Sequence, residues 1–189
     1  MKVGLYFGSF NPVHHGHLII ANFVAWNTDL SQVWFVVSPQ NPFKTESSLL
    51  NEYHRYHLVQ LAIENESKLR ATDIEFRLPK PSYTINTLTY LEEKYPENQF
   101  CIIMGSDSYQ NLHKWKNAEV LMQRYPVYVY KRPGFEITKQ AVAALTVLEA
   151  PLLQISATHI RKMVGEGKPI RYLVPDSVKD EIERNHYYR

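Results

Sequence analysis

The chain of 189 residues is long enough to bury one sizeable hydrophobic core without disulfides or metal ions. Hydrophobic residues make up 44% of it and charged residues 21%, which is typical of a folded globular protein and excludes a disordered one. The formal net charge is +2 and the 21 lysines and arginines form no basic run, so we expect no nucleic-acid partner. No stretch reaches the roughly 18 apolar residues of a membrane span. The residues after Met1 lead into a short strand-like run and lack the apolar region that is typical of a signal peptide. With a single cysteine, these features predict a cytoplasmic protein without a membrane partner.

Six short runs of β-branched and aromatic residues predict buried strands, at residues 3–7, 33–38, 74–78, 100–104, 127–131 and 152–155. Segments with a helical spacing of apolar residues alternate with these runs, at residues 15–26, 52–64, 84–95 and 120–124. This alternation predicts a Rossmann-like α/β fold, in which helices cover both faces of an open, mostly parallel sheet. Ligands of such sheets bind beyond the carboxyl ends of the strands, so we expect the loops there to carry the site.

The end of the chain differs in character from the rest. It contains a polar run at residues 156–161, a basic turn at 165–171 and a helix predicted at 175–186. We expect one domain over residues 1–189, with residues 152–189 forming a small helical C-terminal portion. Cys101 lies inside the apolar run 100–104, where a buried core thiol is expected.

The loop after the first predicted strand has the composition of an anion-binding corner. Residues 8–17 read Gly-Ser-Phe-Asn-Pro-Val-His-His-Gly-His and lead into an apolar helix. Gly8 permits a close approach of a ligand to the backbone, and the helix that follows offers unpaired N–H groups and a positive dipole end. His14 and His17 are three residues apart, so they share one face once the helix has begun.

The spacing of the two histidines also fits other interpretations. The pair could be half of a metal site completed by His54, His57 or a carboxylate, or simply two surface histidines at a helix start. The sequence contains neither a GxGxxG dinucleotide fingerprint nor a GxxxxGK phosphate-binding loop that would decide between them.

Two segments resemble the signatures of a known enzyme superfamily. Residues 8–17 resemble the GxFxPxHxGH signature of the HxGH nucleotidyltransferases, and residues 155–161 (ISATHIR) resemble their second signature, ISSTxIR. The resemblance continues through residues 41–44, 81–84, 105–107, Trp115, 131–134 and 172–175. The resemblance thus covers nearly the whole chain. Within the superfamily, the chain is similar to the bacterial nicotinate-nucleotide adenylyltransferases, which make deamido-NAD and pyrophosphate from ATP and nicotinate mononucleotide.

The resemblance implies catalysis by positioning and charge stabilisation. A phosphate of the acceptor attacks the α-phosphorus of ATP directly, so no protein nucleophile is needed. It further implies that His14 and His17 are the catalytic residues, and that Mg²⁺ is a cofactor held mainly by the substrate phosphates.

Two sets of binding residues follow from the same resemblance. ATP is expected to contact Gly8, Ser9, Phe10, His14, His17, Gly105, Asp107, Ile155, Ser156, Thr158 and Arg161. The acceptor, nicotinate mononucleotide, is expected to contact Asn11, Lys44, Thr84, Trp115 and Arg132. In the family the tryptophan stacks on the pyridine ring, and the threonine with nearby backbone N–H groups recognises the carboxylate.

Several of these residues also have ordinary structural explanations. Ser156 could merely cap a helix beside a solvated Arg161, and Asp107 could be a helix N-cap instead of a contact to ribose or to a Mg²⁺-bound water. Trp115 could belong to the core, and Arg132 could be structural.

The chain departs from the family pattern at three positions, with Phe7 in place of glycine, Asn11 in place of aspartate and Phe43 in place of histidine. Other acceptors are the nearest alternatives, namely phosphopantetheine or nicotinamide mononucleotide in enzymes of the same superfamily. A non-catalytic nucleotide-binding or RNA-binding module is a further alternative. The sequence leaves open whether the chain forms a homo-oligomer.

Overall fold

Six strands and seven α-helices occur in residues 1–40, 49–138 and 142–189, the parts of the chain that the computed structural model describes. The strands are β1 (Lys2–Gly8), β2 (Gln32–Val37), β3 (Leu69–Thr72), β4 (Gln99–Gly105), β5 (Val127–Tyr130) and β6 (Leu145–Leu148). The helices are α1 (His15–Asn27), α2 (Glu52–Ile63), α3 (Thr84–Lys94), α4 (Ser106–Gln110), α5 (Ala118–Arg124), α6 (Ala157–Gly165) and α7 (Asp176–Arg184). Two short 3₁₀ helices lie at Ile74–Arg77 and Leu112–Lys114.

The strands form one open sheet in the order β3-β2-β1-β4-β5-β6, and all neighbouring strands run parallel. The predicted Rossmann-like fold is therefore confirmed. The strand order changes direction between β1 and β4, which lie side by side at the centre. The loops that leave these two strands diverge to opposite faces of the sheet, and the crevice between them is where such folds bind ligands.

A hydrophobic core lies on each face of the sheet, as expected for parallel strands covered by helices. Alternate side chains of β1 enter the two cores, with Tyr6 on one face and Leu5 on the other. The Tyr6 face packs against α1, α2, α6 and α7, and the Leu5 face packs against α3, α4 and α5. Within the described residues, no helix is long and apolar enough to pass through a membrane.

The strand predicted at residues 74–78 is wrong. Its β-branched and aromatic residues predict a buried strand, but the chain forms a 3₁₀ helix there, with both Ile74 and Glu75 buried. Glu75 tolerates burial because its carboxylate accepts hydrogen bonds from two neighbouring hydroxyl groups. The third strand, β3, comes earlier, and only its first and last residues, Leu69 and Thr72, are buried. Because β3 is so short and so exposed, its sequence contains no apolar run that would predict a buried strand.

The strand predicted at residues 152–155 is also wrong. The sixth strand lies at Leu145–Leu148 on the edge of the sheet, and residues 152–155 form neither helix nor strand. Leu152 and Leu153 are 36% and 48% exposed, so their apolar character does not reflect burial in the sheet. They line a cleft beside His14 and His17 instead.

The C-terminal helices share the core of the sheet. Val164 of α6, and Val178 and Ile182 of α7, belong to the same buried cluster as Tyr6. The backbone N–H of His15 donates to the carbonyl oxygen of Leu173 at 3.0 Å, which joins the C-terminal portion to the start of α1. This shared core supports the prediction of one domain, which stays a prediction. Cys101 is a buried free thiol, as expected.

No sequence motif singles out Arg55, yet its side chain joins three loops. Arg55 is 0% exposed. Its guanidinium donates to the carbonyl oxygens of Ser9 at 2.5 Å, Ser38 at 2.8 Å, Pro39 at 3.1 Å and Leu50 at 2.7 Å. Ser9 lies in the loop after β1, Ser38 and Pro39 lie in the loop after β2, and Leu50 lies in the loop before α2. Arg55 therefore fixes the loops that frame one side of the crevice.

Replacing Arg55 with methionine should lower the free energy of unfolding by about 3 kcal/mol, because the buried carbonyl oxygens lose their donors. Urea denaturation of both proteins measures this difference. Arg77→Met is the matched control, since Arg77 is exposed and its loss should change stability by less than about 0.5 kcal/mol. Equal stability of the Arg55 variant and the wild type would contradict this account.

Candidate active site

The loop after β1 is held in an unusual backbone conformation. Phe10 has a φ of +46°, in the left-handed region that non-glycine residues rarely adopt, and its ring is buried against Tyr6, Phe35 and His17. Gly8 makes this possible, because a Cβ atom there would lie 2.8 Å from the Phe10 ring. The glycine of the first signature therefore makes room for the Phe10 ring.

The two signature histidines are in direct contact. Their rings stack with centroids 3.7 Å apart and an interplanar angle of 25°. The backbone N–H of His14 donates to Nδ1 of His17 at 3.3 Å. When neutral, His17 therefore carries its proton on Nε2, which makes that nitrogen a hydrogen-bond donor.

The surroundings of His14 disfavour the protonated, positively charged form of its side chain. It is 5% exposed, and its Nδ1 is buried without a hydrogen-bond partner. Burial above all, together with the positive charge of Arg132 and the proximity of His15, lowers the pKa of His14 from 6.5 to about 4. At neutral pH His14 is therefore an uncharged imidazole.

The two signature segments meet in space through Arg161. Its guanidinium donates from Nη1 to the carbonyl oxygen of Asn11 at 2.8 Å, and from Nη2 to Oγ1 of Thr158 at 3.3 Å. Ser156 is the N-cap of α6 and accepts from the N–H of His159 at 3.1 Å. Residues about 150 positions apart thus form one corner, with the start of α6 facing the histidine loop.

We call the cleft at this corner the histidine cavity; it measures about 410 Å³, which lies in the size range of ligand-binding clefts. Its lining includes every residue that the sequence analysis assigned to ATP except Gly105. Asn11 and Arg132, which the sequence analysis assigned to the acceptor, line this cavity too. The Asn11 side chain accepts a hydrogen bond from the N–H of Leu50 at 3.2 Å.

A second cleft, of about 150 Å³, opens on the other side of β1 and β4. We call it the tryptophan cavity; Thr84, Trp115 and Gly105 are among its lining residues. Thr84 and Trp115 therefore lie together, as the resemblance implied. Lys44, together with the rest of residues 41–44, lies outside the described residues.

Sequence reasoning missed several polar residues of the tryptophan cavity. Glu75 accepts hydrogen bonds from Oγ of Ser82 and Oγ1 of Thr87, both at 2.7 Å, and its burial raises its pKa. These bonds hold the turn that leads into α3 and Thr84. Lys116 also lines the cavity, with its ammonium group 4.5 Å from the centre of the Tyr83 ring. Its position directly after Trp115 is the signal that could have revealed it.

Asp107 and Arg132 form an ion pair at the mouth of the histidine cavity. Oδ2 of Asp107 lies 3.1 Å from Nη1 of Arg132, and the backbone N–H of Arg132 donates to Oγ of Ser106 at 2.8 Å. The N-cap of α4 is Gly105, so the interpretation of Asp107 as an N-cap is wrong. A Cβ atom on Gly105 would lie 2.5 Å from Oδ1 of Asp107, and this glycine gives the pair its room.

No group of three or more potential metal-ligating side chains occurs in the described residues. His54 and His57, the suggested partners for a histidine metal site, are engaged elsewhere. His54 shares a hydrogen bond with the hydroxyl of Tyr187 at 2.9 Å, and His57 lies 3.6 Å from the carboxylate of Glu181 in α7.

Known proteins resemble this chain over its whole length. The profile of the cytidylyltransferase-like family matches residues 5–163. A relative from Cytophaga hutchinsonii, named "Probable nicotinate-nucleotide adenylyltransferase", is 51% identical and spans 100% of this chain and 98% of its own. A relative of the same name from Flavobacterium psychrophilum is 47% identical over 100% of both chains.

The chain belongs to the nicotinate-nucleotide adenylyltransferase family. The resemblance in the two signatures is thereby confirmed, and the chain is an enzyme of the nucleotidyltransferase class. The structure of the Plasmodium falciparum nicotinic acid mononucleotide adenylyltransferase complexed with NaAD has the same fold. It superposes with a TM-score of 0.84 at 21% identity and covers 99% of this chain and 97% of its own.

The burial of neutral His14 makes the stability of this adenylyltransferase depend on pH. The unfolded chain takes up a proton near pH 6.5, whereas His14 in the folded state does so only near pH 4, so acidification favours unfolding. Between pH 7 and pH 4, we expect the stability of the wild type relative to His14→Asn to fall by up to about 3 kcal/mol. Urea denaturation at both pH values measures this.

His113→Asn is the control, because His113 is exposed and should leave the pH dependence of the wild type unchanged. If His14→Asn and the wild type lost stability in parallel on acidification, His14 would not be held neutral by the fold.

Proposed function

We propose that this member of the family transfers the AMP portion of ATP to nicotinate mononucleotide, forming deamido-NAD and releasing pyrophosphate. The observation that carries the proposal is the meeting of two different clefts at the ends of β1 and β4. The histidine cavity offers donors suited to phosphates, and the tryptophan cavity offers an aromatic surface with a cation. A reaction that joins two nucleotides needs two such sites side by side.

The histidine cavity supplies hydrogen-bond donors to the triphosphate. In this proposal Nε2–H of His17 donates to the transferring α-phosphate, and the guanidinium of Arg161 with the N–H groups at the start of α6 binds the β- and γ-phosphates. Because these donors are fixed before ATP arrives, they stabilise the charge of the transition state without reorganising.

His14 contributes as a neutral imidazole. Because His14 lines the histidine cavity, its ring presents an uncharged hydrogen-bonding group to the phosphates in this proposal. Stacking against His17 fixes the His14 ring. Gly16 leaves room for this ring, since a Cβ atom on Gly16 would lie 3.0 Å from it.

The residues of the histidine cavity fit a Mg²⁺ ion that is held mainly by the substrate phosphates. Mg²⁺ prefers oxygen ligands and retains several waters. Asp107 is a carboxylate at the cavity mouth, and its ion pair with Arg132 favours contact through a Mg²⁺-bound water over direct ligation. Such an ion would neutralise charge on the phosphates.

The tryptophan cavity provides what a nicotinate ring requires. We propose that the ring stacks on Trp115, and that Thr84 and the ammonium group of Lys116 recognise its carboxylate. The amide of nicotinamide mononucleotide carries no charge to pair with Lys116. The cytoplasmic location stays a prediction of the sequence.

The reaction itself is the first test. With Mg-ATP, the purified enzyme should release pyrophosphate rapidly with nicotinate mononucleotide and far more slowly with nicotinamide mononucleotide or phosphopantetheine. His17→Ala should lose at least about 100-fold in kcat, because a fixed donor to the transition state is removed.

His113→Ala serves as the matched control and should keep wild-type kcat, since this exposed histidine lies outside both cavities. Fast release with phosphopantetheine alone, or a near-normal His17→Ala variant, would overturn the proposed function.

A second test concerns acceptor choice. Lys116→Gln should lower kcat/KM for nicotinate mononucleotide by about 5- to 10-fold and leave that for the amide nearly unchanged, because only the acid loses a charge partner. Lys114→Gln is the control; Lys114 donates to Asn111 and does not line the tryptophan cavity. Equal losses for both acceptors would show that Lys116 does not read the carboxylate.

A further inference from the structure

The histidine cavity and the tryptophan cavity share a wall. The residues that line both are Tyr6, Phe7, Gly8, Ser108 and Tyr130. An acceptor bound in one cavity must extend its phosphate past this wall to reach the α-phosphorus of a donor bound in the other. Groups on the wall are therefore placed to contact the reacting phosphates.

Two phenol hydroxyl groups meet on this wall. The hydroxyl oxygens of Tyr6 and Tyr130 are 3.5 Å apart, and each residue is 4% exposed. Tyr6 belongs to β1 and Tyr130 to β5, with β4 between them. The rings approach each other across β4 where that strand ends in Gly105, which pairs with Tyr130; a Cβ atom on Gly105 would lie 3.1 Å from the Tyr130 ring.

A phenol carries only one hydrogen, so the two hydroxyls must divide their roles. Either hydroxyl can be the donor within the pair, and burial raises the pKa of Tyr6 well above its usual value, so Tyr6 stays protonated. If Tyr6 donates to the oxygen of Tyr130, the hydrogen of Tyr130 remains for an acceptor outside the pair. An anionic phosphate oxygen is a strong acceptor for it.

The surroundings of Tyr130 favour an anion. The guanidinium of Arg132 lies 5.6 Å from the centre of the Tyr130 ring. Burial by itself would lower the pKa of Arg132, but neighbouring Tyr130 and Asp107 raise it, so Arg132 is charged. Asp107 neutralises part of this charge through its ion pair with Arg132. A hydrogen-bond donor beside a guanidinium is a common arrangement for holding a phosphate.

We propose that Tyr6 and Tyr130 form a hydrogen-bond relay that positions the attacking phosphate of the acceptor, with Tyr6 donating to Tyr130 and Tyr130 donating to a phosphate oxygen. The inference rests on the proposed function, which supplies the two nucleotides. It adds a substrate contact, Tyr130, and a positioning residue behind it, Tyr6. Neither hydroxyl changes its protonation state during the reaction.

The relay is tested with Tyr130→Phe, Tyr6→Phe and the double variant, which keep the rings and remove only hydroxyls. Tyr130→Phe should lower kcat/KM for the mononucleotide acceptor about 10-fold and change KM for ATP by less than about 2-fold. Tyr6→Phe should lower the same parameter about 3-fold. The double variant should be no slower than Tyr130→Phe, because Tyr6 acts only through Tyr130.

Tyr128→Phe is the matched control. Tyr128 lies two positions earlier on β5 and on the same face of the sheet, but its hydroxyl donates to Asp29 outside both cavities. It should keep wild-type kinetics. A merely structural role of the tyrosine pair would instead lower the free energy of unfolding and affect both substrates equally.

Wild-type kinetics of Tyr130→Phe, or additive losses in the double variant, would overturn the relay while leaving the proposed function intact. If the wild type released no pyrophosphate with any acceptor, the proposed function would fail, and calorimetric titration with nicotinate mononucleotide would still test the relay. Binding equal in the wild type and Tyr130→Phe would then refute it.

Discussion

The central strands β1 and β4 run side by side and both end in glycine, and the arrangement of the two cavities depends on this. A side chain at Gly8 would collide with the Phe10 ring, and one at Gly105 would collide with Asp107, Arg132 and Tyr130. The strand order changes direction between β1 and β4, so the loops leave the sheet in opposite directions and open a crevice across its carboxyl edge. The two glycines leave room for the side chains that line this crevice. Two ligands on opposite faces of the sheet can then meet over the strand ends.

Two arginines stabilise this crevice by binding backbone oxygens. Arg55 donates to carbonyl groups in the loops after β1 and β2, and Arg161 donates to the carbonyl of Asn11 from the far end of the chain. A planar guanidinium has five N–H groups in fixed directions, so it can satisfy several carbonyls that no regular secondary structure pairs. The loops are thereby held before any substrate binds, which is what charge stabilisation in a transition state requires.

Burial and neighbouring charges determine which side chains of the site are charged. His14 stays neutral because it is buried near the positive Arg132, whereas Arg132 keeps its charge beside Asp107. On the other face, Glu75 is buried within a set of hydroxyl donors and shapes the turn before Thr84. Packing and hydrogen bonds together thus determine where these polar groups lie in the folded enzyme.

The fold class, the position of the His14 and His17 loop after the first strand, and the resemblance in the second signature all followed from the sequence, because they depend on local residue patterns and short motifs. The edge strands β3 and β6 escaped it, since they are short and half exposed. Only the tertiary structure decided that Asn11 and Arg132 line the histidine cavity, that Arg55 joins three loops, and that Tyr6 meets Tyr130 over Gly105. Such contacts join residues up to 124 positions apart, and their geometry follows from strand order and packing, which no local pattern encodes.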